Sequence, residues 1–207
     1  MTTLRADARR NRGQIVDAAG ALFAERGPDV PMEEVARRAG VGVGTLYRRF
    51  PDRDALVRAV AFENFRRVVA WARVATADPD GWSGLTRFVR QSVADLRLAT
   101  WLSMWFAETW AALRLEPEHA ELREELLRLL GRLVATAQQE GAMRPDVGVG
   151  DLALLLAVLL RPLPGMPVPV PEHVVERHLA IMLDGLRAVP AAALPGRPVT
   201  PDDLGPW

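Results

Sequence analysis

Apolar residues recur along this chain at the three- and four-residue spacing of helices. Ile15, Ala18, Ala19, Leu22 and Phe23 fall at i, i+3, i+4, i+7 and i+8, one stripe of a helix that begins near Arg9. Residues 1–8 precede that pattern and read as a frayed, mobile arm. Gly27-Pro28 ends the helix. Pro31 suits the first turn of a second, short helix reaching about Ala39, with Met32, Val35, Ala36 and Ala39 on its inner side. Gly40 breaks it. A third helix spans about Val43 to Arg49 and stops at Phe50-Pro51. Asp52 is placed to cap a long fourth helix, with Asp54 in its first turn. The same period continues through segments near 52–76, 81–98, 100–113, 117–140, 149–161 and 171–188. Breaks fall at Asp78-Pro79-Asp80-Gly81, at Gly141 to Asp146, and in the Pro-rich stretch from Pro162 to Pro171. Strand alternation and internal repeats are both absent, so the expected fold class is all-α. After Pro190 the chain is rich in Pro, Ala and Gly, and a disordered tail is expected over 190–207.

Composition narrows the function classes. Hydrophobic residues make up 49% of 207 residues, enough to bury a substantial core. There is no Cys, which excludes thiol catalysis, a disulfide framework and Cys-based zinc fingers. The longest apolar run, Leu152 to Leu160, is far short of the roughly 20 residues of a bilayer span. It reads as a buried helix, and no membrane partner is expected. The N-terminus is polar and Arg-rich with no apolar signal core, which fits a cytoplasmic protein. Net charge is zero, but its distribution is uneven. Residues 1–58 hold eleven Arg against eight acids, and the remainder fifteen Arg against eighteen. The excess of positive charge therefore lies with the short N-terminal helices.

Those short helices carry the most specific signal. Two helices of about eight residues joined by a Gly-containing turn make a helix-turn-helix. The second must be short and exposed to enter a major groove, while the first braces it across the backbone. In the turn Ala39-Gly40-Val41-Gly42, Ala39 allows close helix approach, Gly40 allows a positive φ, and Val41 fills the small core. The stretch MEEVARRAGVGVGTLYRRFPDRDAL resembles the tetracycline-repressor (TetR) family of bacterial transcriptional regulators. The matching positions are Val35, Ala36, Ala39, Gly40, Val41, Gly44, Thr45, Leu46, Tyr47, Phe50, Arg53 and Leu56, within residues 10–57.

The resemblance implies a three-helix DNA-binding domain over 1–57 and a larger helical ligand-binding and dimerisation domain over 58–189. By the same resemblance Thr45 and Tyr47 face DNA. Arg48 and Arg49 reach phosphates or base edges, where an Arg can grip guanine O6 and N7. Arg53 contacts phosphate, and Gly42 and Gly44 let backbone N–H groups approach closely. Arg10, with Arg9 and Arg12, is a further phosphate candidate. Arg37 and Arg38 are a weaker one, since such pairs also decorate ordinary helix surfaces. Two departures from the family pattern remove hydroxyls: Val30-Pro31 precedes the second helix, and Gly42 precedes the third, where Ser or Thr is common.

For the second domain, aromatics cluster at Trp101, Trp105, Phe106 and Trp110 around Met104, with Phe62, Phe65, Trp71 and Phe88 upstream. Core packing explains each aromatic alone. Together they suggest an effector pocket lined by Phe62, Phe65, Phe88, Trp101, Met104 and Trp105, with Gln91, Asp95 and Glu108 as polar anchors. A flat or hydrophobic small molecule suits it better than a strongly charged one. The last two helices are expected to form a homodimer, through Leu152, Leu155, Leu156 and Leu159 on one and Val174, Val175, Leu179, Met182, Leu183 and Leu186 on the other. A dimer would place two recognition helices about 34–36 Å apart on a palindromic operator. The function expected is a repressor released from DNA by its effector.

Two rivals stay open. One is a DNA-binding regulator with no ligand; an internal cavity is the discriminating feature. The other is a helical metal enzyme, since Glu116 to His119 matches the E-x-x-H step of di-iron bundles. That motif occurs once where two are needed, and His173 and His178 are poorly spaced for shared ligation. No P-loop, dinucleotide-binding glycine motif or nucleophile elbow is present, so neither catalytic residues, a metal nor a cofactor is expected.

Overall fold

The computed structural model describes residues 2–27, 29–161, 171–188 and 192–204, with side chains from Arg10 onward. Among these residues the chain forms nine α-helices: α1 (Thr2–Arg26), α2 (Met32–Arg38), α3 (Val43–Arg49), α4 (Arg53–Ala75), α5 (Gly81–Trp105), α6 (Ala107–Arg114), α7 (Pro117–Gln139), α8 (Val149–Leu159) and α9 (Glu172–Gly185). Three boundaries follow from the local chemistry read above. Gly27 takes φ +86° at the end of α1, and Gly40 takes φ +68° between α2 and α3. The Asp52 carboxylate accepts the Ala55 backbone N–H at 2.7 Å, capping α4.

Two expectations are corrected here. The frayed arm over residues 1–8 is helical from Thr2. The break between segments 81–98 and 100–113 does not exist, because no Gly or Pro interrupts Leu98 to Trp105. The interruption comes at Phe106, whose φ −124° and ψ 53° leave the helix. The Pro-rich break from Pro162 lies outside the described residues, as does Pro28.

The helices build two adjoining cores. The first joins Ile15, Ala19, Leu22 and Phe23 of α1, Val35 and Ala36 of α2, Leu46 of α3, and Leu56, Val57, Val60 and Ala61 of α4. Leu98 and Leu102 of α5 and Leu113 of α6 close it from the other side. The second joins Phe65, Val68, Val69, Ala72 and Ala75 of α4 to Leu85, Phe88 and Val89 of α5 and to Leu126, Leu130, Leu133 and Val134 of α7. Leu152 and Leu156 of α8 and Leu179 and Leu183 of α9 complete it. Burying one such side chain is worth about 1.5–3 kcal/mol. A polar bracket spans the junction. The buried Asn64 donates to the Asp95 backbone carbonyl at 2.6 Å, while the Asp95 carboxylate accepts from Arg67 Nε at 2.9 Å and Trp71 Nε1 at 3.0 Å.

The face of α8 and α9 left uncovered coincides with the one expected at Leu155 and differs elsewhere. Leu152, Leu156, Leu179, Leu183 and Leu186 are buried in the chain's own core. The exposed apolar residues are Leu154, Leu155, Val158 and Ile181, with Val158 72% exposed. Both helices are apolar on two sides, so periodicity alone does not say which side packs inward.

The disordered tail expected over 190–207 is corrected for residues 192–204, which form a strap on α8. Val199 accepts the Gly150 N–H at 2.9 Å, and the Asp151 carboxylate accepts the N–H groups of Gly148 at 2.7 Å and Val199 at 3.1 Å. Arg144 donates to the Ala192 carbonyl at 3.0 Å and pairs with Asp146, which accepts the Leu194 N–H at 2.9 Å. The Arg144 guanidinium, and then the Leu194 N–H, hold Asp146 well below the usual carboxylate range.

Two outcomes are expected. A Cβ at Gly84 would lie 2.6 Å from the Ala75 carbonyl oxygen, whereas one at Gly131 would meet only a Val149 methyl at 3.7 Å. Gly84→Ala should therefore cost about 1–3 kcal/mol in urea unfolding, and Gly131→Ala should cost nothing. Asp146 is depressed in the folded state, so its contribution is present above the ordinary carboxylate pKa of about 3.9 and lost as pH falls below it. Acidification, or Asp146→Asn at neutral pH, should lower the hydrogen-exchange protection factor of the Leu194 amide, the rate being compared with the intrinsic rate at the same pH.

Candidate nucleic-acid interface and effector cavity

In the α2–α3 unit, burial dictates orientation. Of α3 only Leu46 is fully buried, and Phe50 (3% exposed) follows it into the first core. The turn closes through Val41 N–H to Ala36 O at 3.0 Å and Gly40 N–H to Arg37 O at 3.2 Å. With Leu46 inward, Gly44, Tyr47, Arg48 and Arg49 are exposed and Thr45 is half-buried. Arg48 donates to the Thr45 hydroxyl at 3.0 Å, which fixes both on one outward face. Nothing lies within 4 Å of where a Gly44 Cβ would stand, so the backbone there is open to approach. Gly42 and Pro31 sit at the N-caps of α3 and α2, and neither helix has a side-chain cap. The third N–H of each helix turns back instead on the N-cap carbonyl, Glu34 on Pro31 at 3.0 Å and Thr45 on Gly42 at 2.8 Å.

The arginines divide by partner. Arg38 pairs with Glu25 at 2.8 Å, and Arg26 and Arg37 share Glu34 at 2.6 Å and 3.2 Å. These cations are neutralised on the α1–α2 side. Arg48 and Arg49 have no carboxylate partner among the described residues. Arg10 is exposed and Arg53 half-buried, each engaged within the protein. Arg12 lies over the Phe50 ring at 5.6 Å, a cation–π contact that ties α1 to the end of α3.

A cavity of about 440 Å³ lies between α4, α5, α6, α7 and α8. Its wall is mostly apolar: Phe65, Phe88, Leu96, Ala99, Trp110, Leu126, Leu130 and Leu156, with Thr100, Ser103 and Arg114 as polar members. Of the pocket residues expected from sequence, Phe65 and Phe88 line it. The others are placed elsewhere. Phe62 packs against the first core, and Trp101 borders a small depression with Ala24 and Leu98. Gln91 lies on a shallow surface hollow beside Trp82. Met104, Trp105 and Glu108 are exposed where α5 ends and α6 begins. Asp95 is consumed by Arg67 and Trp71. Arg114 was not legible as a wall residue, since nothing in sequence separates it from the other arginines.

The E-x-x-H residues have other roles. Glu116 accepts from Arg58 at 3.4 Å, joining α4 to the α6–α7 corner. His119 is buried and stacks on Phe65 with centroids 4.7 Å apart. Burial first, then the charges of Arg123 and Arg114, hold its pKa below the ordinary imidazole value. Among the described residues no three His, Asp or Glu side chains converge as a metal site.

Comparison with known proteins gives a consistent picture. Residues 15–60 match the family described as bacterial regulatory proteins, tetR family, and residues 79–188 match the C-terminal domain of SbtR-like transcriptional regulators. The fold is similar to that of a TetR transcription regulatory protein from Mycobacterium vanbaalenii, with 37% identity over 89% of this chain and 99% of that one, at a TM-score of 0.64. It is also similar to a TetR transcriptional regulator from Streptomyces coelicolor, with 29% identity over 85% and 98% of the two chains and a TM-score of 0.65. An HTH-type transcriptional regulator of Staphylococcus aureus is 43% identical over 54 residues, which is 26% of this chain and 29% of that protein's length.

The division of arginines sets an expected outcome on random-sequence duplex DNA. Arg48→Ala and Arg49→Ala should each weaken binding and reduce the slope of log K against log salt by about one. Arg38→Ala, which only frees Glu25, should leave the slope unchanged. Anisotropy titrations at several salt concentrations read both.

Proposed function

The chain belongs to the TetR family of DNA-binding transcriptional regulators, and from that premise we propose that it is a cytoplasmic homodimeric repressor released from a palindromic operator by a small, largely hydrophobic effector. The observation that carries this reading is the cavity of about 440 Å³, within the usual range of roughly 300–1,000 Å³ for small-molecule sites. It favours the ligand-responsive reading over a regulator that works by DNA binding alone. Thr45, Tyr47, Arg48 and Arg49 are the residues assigned to DNA, with Gly42 and Gly44 at close backbone approach and Arg10 and Arg53 flanking them.

The proposed mechanism is a population shift. Effector bound more tightly by one spacing of the two reading heads draws the dimer away from the spacing that fits DNA. The connection is short. Leu113 of α6 is buried in the core that carries α2 and α3, while the next residue, Arg114, lines the cavity. Arg58, one turn inside α4, pairs with Glu116 just beyond α6. A displacement of α6 therefore acts on α4 at the end nearest the recognition helix.

The subunit contact is assigned to the exposed apolar residues Leu154, Leu155 and Val158 of α8 and Ile181 of α9. Val158→Glu should convert a dimer into a 22.8 kDa species in sedimentation velocity and lower affinity for a palindromic site at least tenfold. Transcription from a promoter overlapping that site should fall on adding the wild-type protein. A rise would make it an activator.

A further inference from the structure

Among the described residues the cavity has one charged wall residue, and its surroundings constrain what fills it. Arg114 is the last residue of α6, half-buried, with its Nε shielded from solvent and without an acceptor. Among the described residues no carboxylate pairs with it. The nearby polar wall groups do not relieve it. Thr100 donates to the Leu96 carbonyl at 2.9 Å and Ser103 to the Thr100 carbonyl at 2.7 Å. Behind Phe65, the buried His119 feels the positive charge of Arg114 and Arg123.

A guanidinium does not shed its proton to escape desolvation, as a buried Lys or His can. Its charge is offset only by an anion or by water. The α6 C-terminus contributes a partial negative charge, yet Nε reaches no carbonyl oxygen. A planar carboxylate matches the fork of a guanidinium and accepts two of its N–H groups at once. The rest of the wall, Phe65, Phe88, Leu126, Leu130 and Leu156, offers only apolar contact.

We propose that the cavity takes an amphipathic carboxylate, its apolar body among α4, α5, α7 and α8 and its carboxylate on Arg114. This rests on the ligand-responsive reading above and refines it, giving the largely hydrophobic effector a single negative charge. The site also places the anion next to Leu113, so the charge is read at the helix that touches the DNA-binding head.

The test titrates the full chain calorimetrically with decanoate, 1-decanol and decyltrimethylammonium below their aggregation limits, then repeats the series with Arg114→Met, Arg114→Lys and Ala153→Phe. Decanoate is expected to bind at least tenfold more tightly than 1-decanol, with the cation weakest. Arg114→Met should bring the decanoate-to-decanol ratio near one, and Arg114→Lys should retain most of the preference. Ala153 of α8 also lines the cavity, so Ala153→Phe, which places a ring in that space, should weaken decanoate at least tenfold. A wild-type ratio near one, or a preference that survives in Arg114→Met, overturns the carboxylate assignment and leaves an apolar effector site standing. Decanoate binding untouched by Ala153→Phe places the anion elsewhere and also overturns it. Failure of all three probes to bind overturns it together with the ligand-responsive reading.

Discussion

One helix has to satisfy two hydrophobic cores at once. α4 gives Leu56, Val57, Val60 and Ala61 to the core beneath the helix-turn-helix and Phe65, Val68, Val69, Ala72 and Ala75 to the core of the larger domain. Between them sits Asn64, wholly buried, whose amide donates to the Asp95 backbone and whose carbonyl accepts from Arg67 at 3.1 Å. A buried amide left unmatched costs about 1–3 kcal/mol, so this contact fixes the rotation of α4 against α5. At about 1.5 Å per residue the 23-residue helix is roughly 35 Å long. Its two ends therefore move as parts of one rod, and the orientation of α3 is tied to the packing of α4 on α5 and α7.

In the proposed mechanism α6 is the element that would make that rod responsive. It has eight residues, and Leu113 and Arg114, adjacent in sequence, face different compartments. The short helix is held by Leu113 in the head's core, with Trp110 packed against it, and by the turn at Phe106. Its last residue is the one charged wall group of the cavity among the described residues, so a ligand engaging Arg114 would act at the end of that helix. The Arg58–Glu116 pair, exposed on both sides, contributes little energy by itself. It does mark where the α6–α7 corner touches the DNA-proximal end of α4.

The legibility of this architecture in sequence varied with how local the determining physics is. The helix-turn-helix was readable because its turn needs a glycine at φ +68° and its core needs Leu46 and Phe50 at fixed spacing. The caps at Asp52 and the stop at Gly27 are local too. The continuity of α5 past Leu98 was missed because Arg97, Thr100 and Ser103 interrupt the apolar stripe without breaking the backbone. The cavity was only partly legible, through Phe65 and Phe88, for a different reason. Aromatic clustering near Trp101 to Trp110 signals burial or exposure equally well, and Met104 and Trp105 turn outward once α5 ends at Phe106. Leu154 and Val158 were likewise hidden within an uninterrupted apolar run, although Leu155 beside them was legible. The strap over 192–204 depends on contacts between residues some fifty positions apart, such as Val199 with Gly150, and short-range composition does not encode them.

In the proposed regulator an exposed α3, oriented by Leu46 and carrying Arg48 and Arg49, reads DNA as part of a symmetric dimer. The most direct measurement is selection of binding sites from random duplex DNA, followed by anisotropy titration of the enriched sequence at two salt concentrations. An enriched palindrome bound by two chains is expected, with affinity falling steeply as salt rises. Folded protein that enriches no sequence, or one asymmetric site bound by a single chain with affinity indifferent to salt, would contradict it.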